Sequence, residues 1–179
     1  MTDEAHGIKN TGLSAHQGNS DDAPRIVRRS LVLAAVVCRG NIESRVGQPE
    51  AEDVHRRLLE WLTALDLWQY VEPDEKTLLQ APLGELGQNE VIQATWQAEG
   101  LAILAWAWKE FEFPRHDQKV DPYAVAEAVW FLNADAGEEI HSARLRSAPR
   151  RRAARELLYA IHVRLRQYIR SREREDFTG

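Results

Sequence analysis

Eight consecutive residues, Leu101 to Trp108 (LAILAWAW), carry no charge and no hydroxyl or amide side chain, so a helix through them is apolar on every face. Such a helix needs cover on all sides. The segment from Asn89 to Phe113 is therefore read as the central helix of a domain whose other helices wrap it. It holds three of the six tryptophans, Trp96, Trp106 and Trp108. Glu99 is out of place there, because it shares a helical face with Ile92, Trp96, Ile103 and Trp106, and a buried carboxylate is costly unless paired or protonated. An arginine from a neighbouring helix is the expected partner, with Arg146 the nominee. A structural ion pair outweighs a general base as the reading of Glu99.

The flanking sequence supplies the wrapping helices. Pro24 suits a first helical position, with Asp21 and Asp22 just ahead of it where the helix dipole favours negative charge. That first helix takes in the run LVLAAVVC and is expected to stop near Cys38, before Gly40 and Asn41. Val54, Leu58, Trp61, Leu62 and Leu65 form one stripe of a second helix, and Pro73 starts a short third. Pro82, Gly84 and Gly87 break the chain before the central helix, and Pro114 forbids its continuation. Asp121 and Pro122 cap and open another helix, a short one follows over about 138–146, and Ser147 and Pro149 start the last. The stripe of that last helix is Leu157, Leu158, Ile161, Leu165, Tyr168 and Ile169. There is no useful strand-like alternation, internal repeat or glycine-rich phosphate loop. The expectation is an all-α single domain, a helical bundle of about seven helices around the tryptophan-rich one. It occupies residues 24–172, with a disordered tail over 1–23 and a frayed C-terminus over 173–179.

At 179 residues and 44% hydrophobic, the chain can bury a core without disulfides or metals. Its single cysteine, Cys38, sits in an apolar run and reads as a small buried hydrophobe rather than a nucleophile. No secretory h-region opens the chain, and the longest purely apolar run is far too short to span a bilayer, so a soluble cytoplasmic protein is expected. The net charge of −5 hides an asymmetry. From Arg144 to Arg174 there are eleven arginines against Glu156 and Glu173, a net +9, which leaves −14 for the rest. The basic segment is thus attracted to its own chain, an account that competes with nucleic-acid binding.

Three stretches carry a family resemblance: Trp96-Gln97-Ala98-Glu99 followed by LAILAWAW, the Phe113-Pro114 loop leading to Asp117 and Asp121-Pro122, and Ala143-Arg144-Leu145-Arg146 followed by LLYAIHVRL. Together with their spacing, they make residues from about 25 to 169 resemble the bacterial domain of unknown function 4272. The resemblance implies an all-helical domain and no particular activity. Ala160 and Val163 stand around His162 where family members are expected to carry an arginine and a tryptophan, while Glu156 stands where an acid is usual. A polar site near His162 would be partly lost in this chain.

The remaining candidates are weaker. Glu52-x-x-His55 and Glu138-x-x-His141 have the spacing of di-iron carboxylate ligands, and Glu99 and Glu127 could complete the set. Glu52 and Glu138, however, lie in first helical turns, where acids are expected for other reasons, so no metal or other cofactor is assigned. His162 borders the apolar stripe of the last helix and reads as a core-edge histidine hydrogen-bonded near Glu156 and Tyr159. Arg150, Arg151, Arg152 and Arg155 form a candidate basic surface, but Tyr159 and Tyr168 are the only aromatics there to stack on bases, and the stripe claims Tyr168. The sequence favours a non-catalytic module that binds another protein. A ligand or enzymatic site around Glu99, Arg146 and His162 comes second, and nucleic-acid binding by the last helix third. It names no partner, process or oligomeric state.

Overall fold

The computed structural model describes residues 22–109 and 111–176, with side chains through residue 171. The expected N-terminal tail lies outside them up to residue 21, as do the last three residues of the expected frayed C-terminus. The described residues form seven α-helices and no strand: α1 (Asp22–Ile42), α2 (Pro49–Ala64), α3 (Pro73–Gln80), α4 (Gln88–Trp108), α5 (Pro122–Ala128), α6 (Ala136–Ser142) and α7 (Ala148–Asp176), with 3-10 turns at Glu43–Arg45 and Trp68–Tyr70. The all-α expectation holds.

Two helices share the centre. α1 lies antiparallel along α4, with Ser30 opposite Trp108 and Gly40 opposite Ala94. Every residue from Ser30 to Val37 is buried, because the run LVLAAVV has α4 on one side and α2, α3 and α6 on others. The enclosure expected of α4 holds for Leu101, Ala102, Ala105, Ala107 and Trp108. It fails nearer the N-terminus, where Ile92 is 44% and Trp96 60% exposed. The burial at the crossing is tight enough to order two polar groups: the Trp108 indole N–H donates to the Ser30 hydroxyl at 3.0 Å, and that hydroxyl donates to the Ile26 carbonyl at 2.8 Å.

α1 does not stop at Gly40. It continues to Ile42, because the glycine is placed by packing rather than by chain reversal. A Cβ added at Gly40 would lie 2.8 Å from the Ala94 Cβ and 3.3 Å from the Thr95 backbone nitrogen, so only hydrogen fits between the two helices. Gly40→Ala is expected to force them apart at a cost of about 1–3 kcal/mol, read by urea unfolding. A gain in stability, as helix propensity alone would give, would show that the crossing is loose.

The extra turn of α1 carries the most costly group in the fold. Arg39 is fully buried and Glu43, one turn on, is nearly so; they form an ion pair at 2.5 Å. The same guanidinium donates to the carbonyls of Ala81 (3.1 Å) and Pro82 (3.0 Å), while Glu43 accepts from the Leu86 N–H at 2.7 Å. The pair thereby holds the irregular 81–87 segment against the end of α1 and leads the chain into α4.

α7 behaves differently from the other helices. Ala154 is its last buried residue among those described, and Leu157, Leu165 and Ile169 are each more than half exposed. The stripe that periodicity assigns to the core is therefore largely uncovered, and the attraction between the basic helix and the acidic body does not appear as packing over that length.

Candidate functional site

The polar residues singled out in the sequence fall in three separate places. Glu99 is half-buried beside a cleft of ≈ 140 Å³, which is lined by Trp96 and Lys119 among others and closed by Asn41 of α1, Val120 ahead of α5 and Pro122 at its start. Local chemistry shapes these walls. Asp121 caps α5 by accepting from the Tyr123 N–H at 2.9 Å, and Pro122 takes the first helical position, so the chain turns sharply there. Just upstream, the Val120 N–H donates to Glu99 Oε1 at 3.0 Å and fastens the loop across α4. Asn41 is fixed by donating its amide to the Val37 carbonyl at 3.0 Å. At the mouth, the Lys119 ammonium stands 5.9 Å from the centroid of the exposed Trp96 ring.

The expected Glu99–Arg146 pair is not formed. Arg146 instead closes the C-terminus of α4: its Nε donates to the Trp106 carbonyl at 2.5 Å, and Nη2 to those of Lys109 (3.0 Å) and Phe111 (3.4 Å). Its backbone N–H donates to the Ala107 carbonyl at 2.8 Å. The carbonyls of Trp106 and Ala107 are ones that the last turn of a helix leaves without partners, while Lys109 is the C-cap and Phe111 lies beyond it. Their capture explains why α4 ends at Trp108 rather than near Phe113, well before Pro114 requires it. The guanidinium also lies 5.4 Å from the Trp106 ring centroid, and Phe113 meets that ring edge-on at 5.1 Å. Arg146 thus belongs to a shallow apolar groove with Trp106, Phe113 and Leu157, a different cavity from that of Glu99.

His162 is exposed on α7. Arg150, Arg152 and Arg155 are also exposed, whereas Arg151 is half-buried and donates from Nε to the Arg146 carbonyl at 3.0 Å. Three of the four arginines thus face solvent, while Arg151 is held against a backbone carbonyl.

The Glu-x-x-His pairs do not converge. His55 is buried with Nε2 donating to the Leu79 carbonyl at 2.9 Å, and His141 Nδ1 bonds the Gly137 carbonyl at 3.2 Å, while Glu52 and Glu138 face solvent. Among the described residues no three His, Cys, Asp or Glu side chains come together as a metal would need. Cys38 is half-buried, and burial pushes its thiol up to about 11 against the weaker opposing pull of Arg39 and Arg45, so it is a thiol and not a thiolate near neutral pH.

Sequence reasoning missed the Arg39–Glu43 pair. The signal was an i,i+4 arginine and glutamate at the end of an apolar run, hidden by reading Gly40-Asn41 as a helix stop. Among the groups lining the Glu99 cleft are a carboxylate, an indole, an amide, the Lys119 ammonium and the Thr95 hydroxyl, which donates to the Val91 and Ile92 carbonyls and not to a base.

Residues 14–175 match the model of a family described as a domain of unknown function, DUF4272. No curated protein and no solved structure matches the chain. No helix among the described residues is long and apolar enough to cross a membrane.

Proposed function

Since the chain belongs to the DUF4272 family, whose description assigns no reaction, we propose from its surfaces that it is a non-catalytic protein–protein interaction module of the cytoplasm, with α7 as its contact element. The observation that carries this reading is the exposure of Leu157, Leu165 and Ile169 along one long basic helix. Apolar side chains grouped on one helix face and rimmed by charge are the usual form of a helix that docks against a protein surface. The rim arginines steer an acidic partner and set orientation, while the stripe supplies the burial. A phosphate-tracking helix would need its arginines but not its leucines.

The test uses a triple variant, Leu157→Ser/Leu165→Ser/Ile169→Ser, purified beside the parent chain from the native host under mild conditions. Native mass spectrometry of the parent should show a stoichiometric protein complex that nuclease and chelator leave intact. The variant, with its circular dichroism unchanged, should appear without that added mass. A bound mass that survives in the variant, or that nuclease removes, would overturn the reading. A bare chain carrying only a small molecule would move the function to the Glu99 cleft.

A further inference from the structure

We infer that the surface covering α7 is a second copy of this chain, in a reciprocal pair where each copy's α7 lies on the exposed Ile92–Trp96 ridge of the other. This deepens the interaction reading and rests on it.

The body has its own uncovered apolar surface. Ile92 and Trp96 stand one turn apart on the same face of α4, and Pro122 borders the cleft beside Trp96. Next to Pro122 is the exposed Tyr123, whose hydroxyl accepts from Arg45 at 3.4 Å, and Val46 adjoining Arg45 is exposed as well. The described residues thus present two exposed apolar surfaces, this ridge and the Leu157, Leu165 and Ile169 positions of the α7 stripe. They do not meet within one molecule because the base of α7 is fixed. Arg146 ties it to the end of α4, and Arg151 ties the first turn of α7 back to Arg146. At 1.5 Å per residue, a helix of 29 residues extends roughly 43 Å from that anchor, far enough to reach a neighbour.

Charge selects the ridge over a pairing of two α7 helices. α7 carries nine arginines against Glu156, Glu173, Glu175 and Asp176, a net +5, and residues 22–147 carry a net −8, so α7 against α7 sets like charge on like, while α7 against the body joins opposite charges. The cleft beside the ridge fits the chemistry of the incoming helix. Glu99 presents a carboxylate to it as a counter-charge for an arginine, while the Lys119 ammonium already stands over the Trp96 ring. Arg164 and Arg166 adjoin Leu165 in sequence and point about 100° to either side of it, with Arg164 at the edge of the stripe, so Arg164 is the guanidinium nearest to a surface seated through Leu165. Two equivalent contacts related by a two-fold axis close the assembly at a dimer.

Sedimentation velocity of the full chain over a concentration series tests this with two variants: a ridge variant, Ile92→Ser/Trp96→Ser, and a helix variant, Leu165→Ser/Ile169→Ser. The parent should be a dimer that dissociates as salt is raised. Each variant alone should be a monomer with the parent's circular dichroism, because each lacks one half of both contacts. Mixed together, they should form a one-to-one complex, since the intact ridge of one accepts the intact helix of the other. That complementation also demonstrates that both variants are folded. Glu99→Gln should raise the dimer dissociation constant roughly tenfold, the loss of one charge-assisted contact. A parent that stays monomeric overturns the inference, and so does a ridge variant that still dimerises, which would show α7 pairing with α7. Failure of the two folded variants to complement also overturns it. If the parent is monomeric but captures a different protein through the stripe, the self-pairing falls while the interaction reading stands.

Discussion

Glu43→Ala is expected to lower the unfolding free energy by about 3–5 kcal/mol, because it leaves the fully buried guanidinium of Arg39 without its counter-ion. The loss reaches beyond the pair. Glu43 also receives the Leu86 N–H, and Arg39 holds the Ala81 and Pro82 carbonyls, so the 81–87 segment loses its fixing to α1 in the same step. Urea denaturation followed by circular dichroism measures it, and a change below about 1 kcal/mol would show that water reaches Arg39 in the folded protein. The pair also sets a pH dependence. Burial alone would raise the Glu43 carboxyl, but the hydrogen bond from Arg39 and those from the Gly84 and Leu86 amides outweigh it and hold the group below the usual carboxylate range. A lowered folded value means that the stabilisation is complete above the unfolded carboxylate value of about 4.3 and is lost as the pH falls through the folded one. The parent should therefore lose stability on acidification more steeply than Glu43→Gln, and parallel profiles would remove Glu43 as the cause.

Trp108→Ala is expected to cost a similar amount, about 3–5 kcal/mol, through the cavity it leaves between α1 and α4. Trp108 is 6% exposed and its indole is hydrogen-bonded to Ser30 of α1, so its removal leaves a space lined by both helices. Trp108→Phe separates packing from hydrogen bonding. It keeps most of the volume and loses the indole N–H, while the Ser30 hydroxyl retains the Ile26 carbonyl as its acceptor, so about 1–2 kcal/mol is expected. Equal losses in the two variants would locate the effect in the hydrogen bond. A small loss in both would mean that the α1–α4 contact is more adaptable than its geometry implies.

Local sequence rules served best where a local cause decides the structure. Pro73 and Pro122 each open a helix, and the Asp121 side chain caps α5, all within reach of a few residues. The ends of α1 and α4 were misplaced because distant groups decide them: Ala94 makes Gly40 a packing residue, and Arg146 takes the carbonyls at the end of α4. Glu99 posed the same difficulty. Its anomaly on the helical wheel was legible, but the backbone amide of Val120 that answers it is a group no side-chain pattern displays. The stripe of α7 was also legible, and its cover was not. Periodicity reports that a face is apolar, and it is silent on whether the covering surface belongs to the same molecule.

The fastening of Arg146 to the end of α4 has a bearing on how α7 meets whatever covers it. A basic segment hanging from a loose linker would have to become helical and choose a direction at the moment of contact, at an entropic cost charged against affinity. Here the direction of the helix is settled when the domain folds, since the residues that aim it also terminate α4. On the proposed reading, association through α7 would be a docking of preformed surfaces, its rate governed by orientation and long-range charge rather than by coil-to-helix conversion.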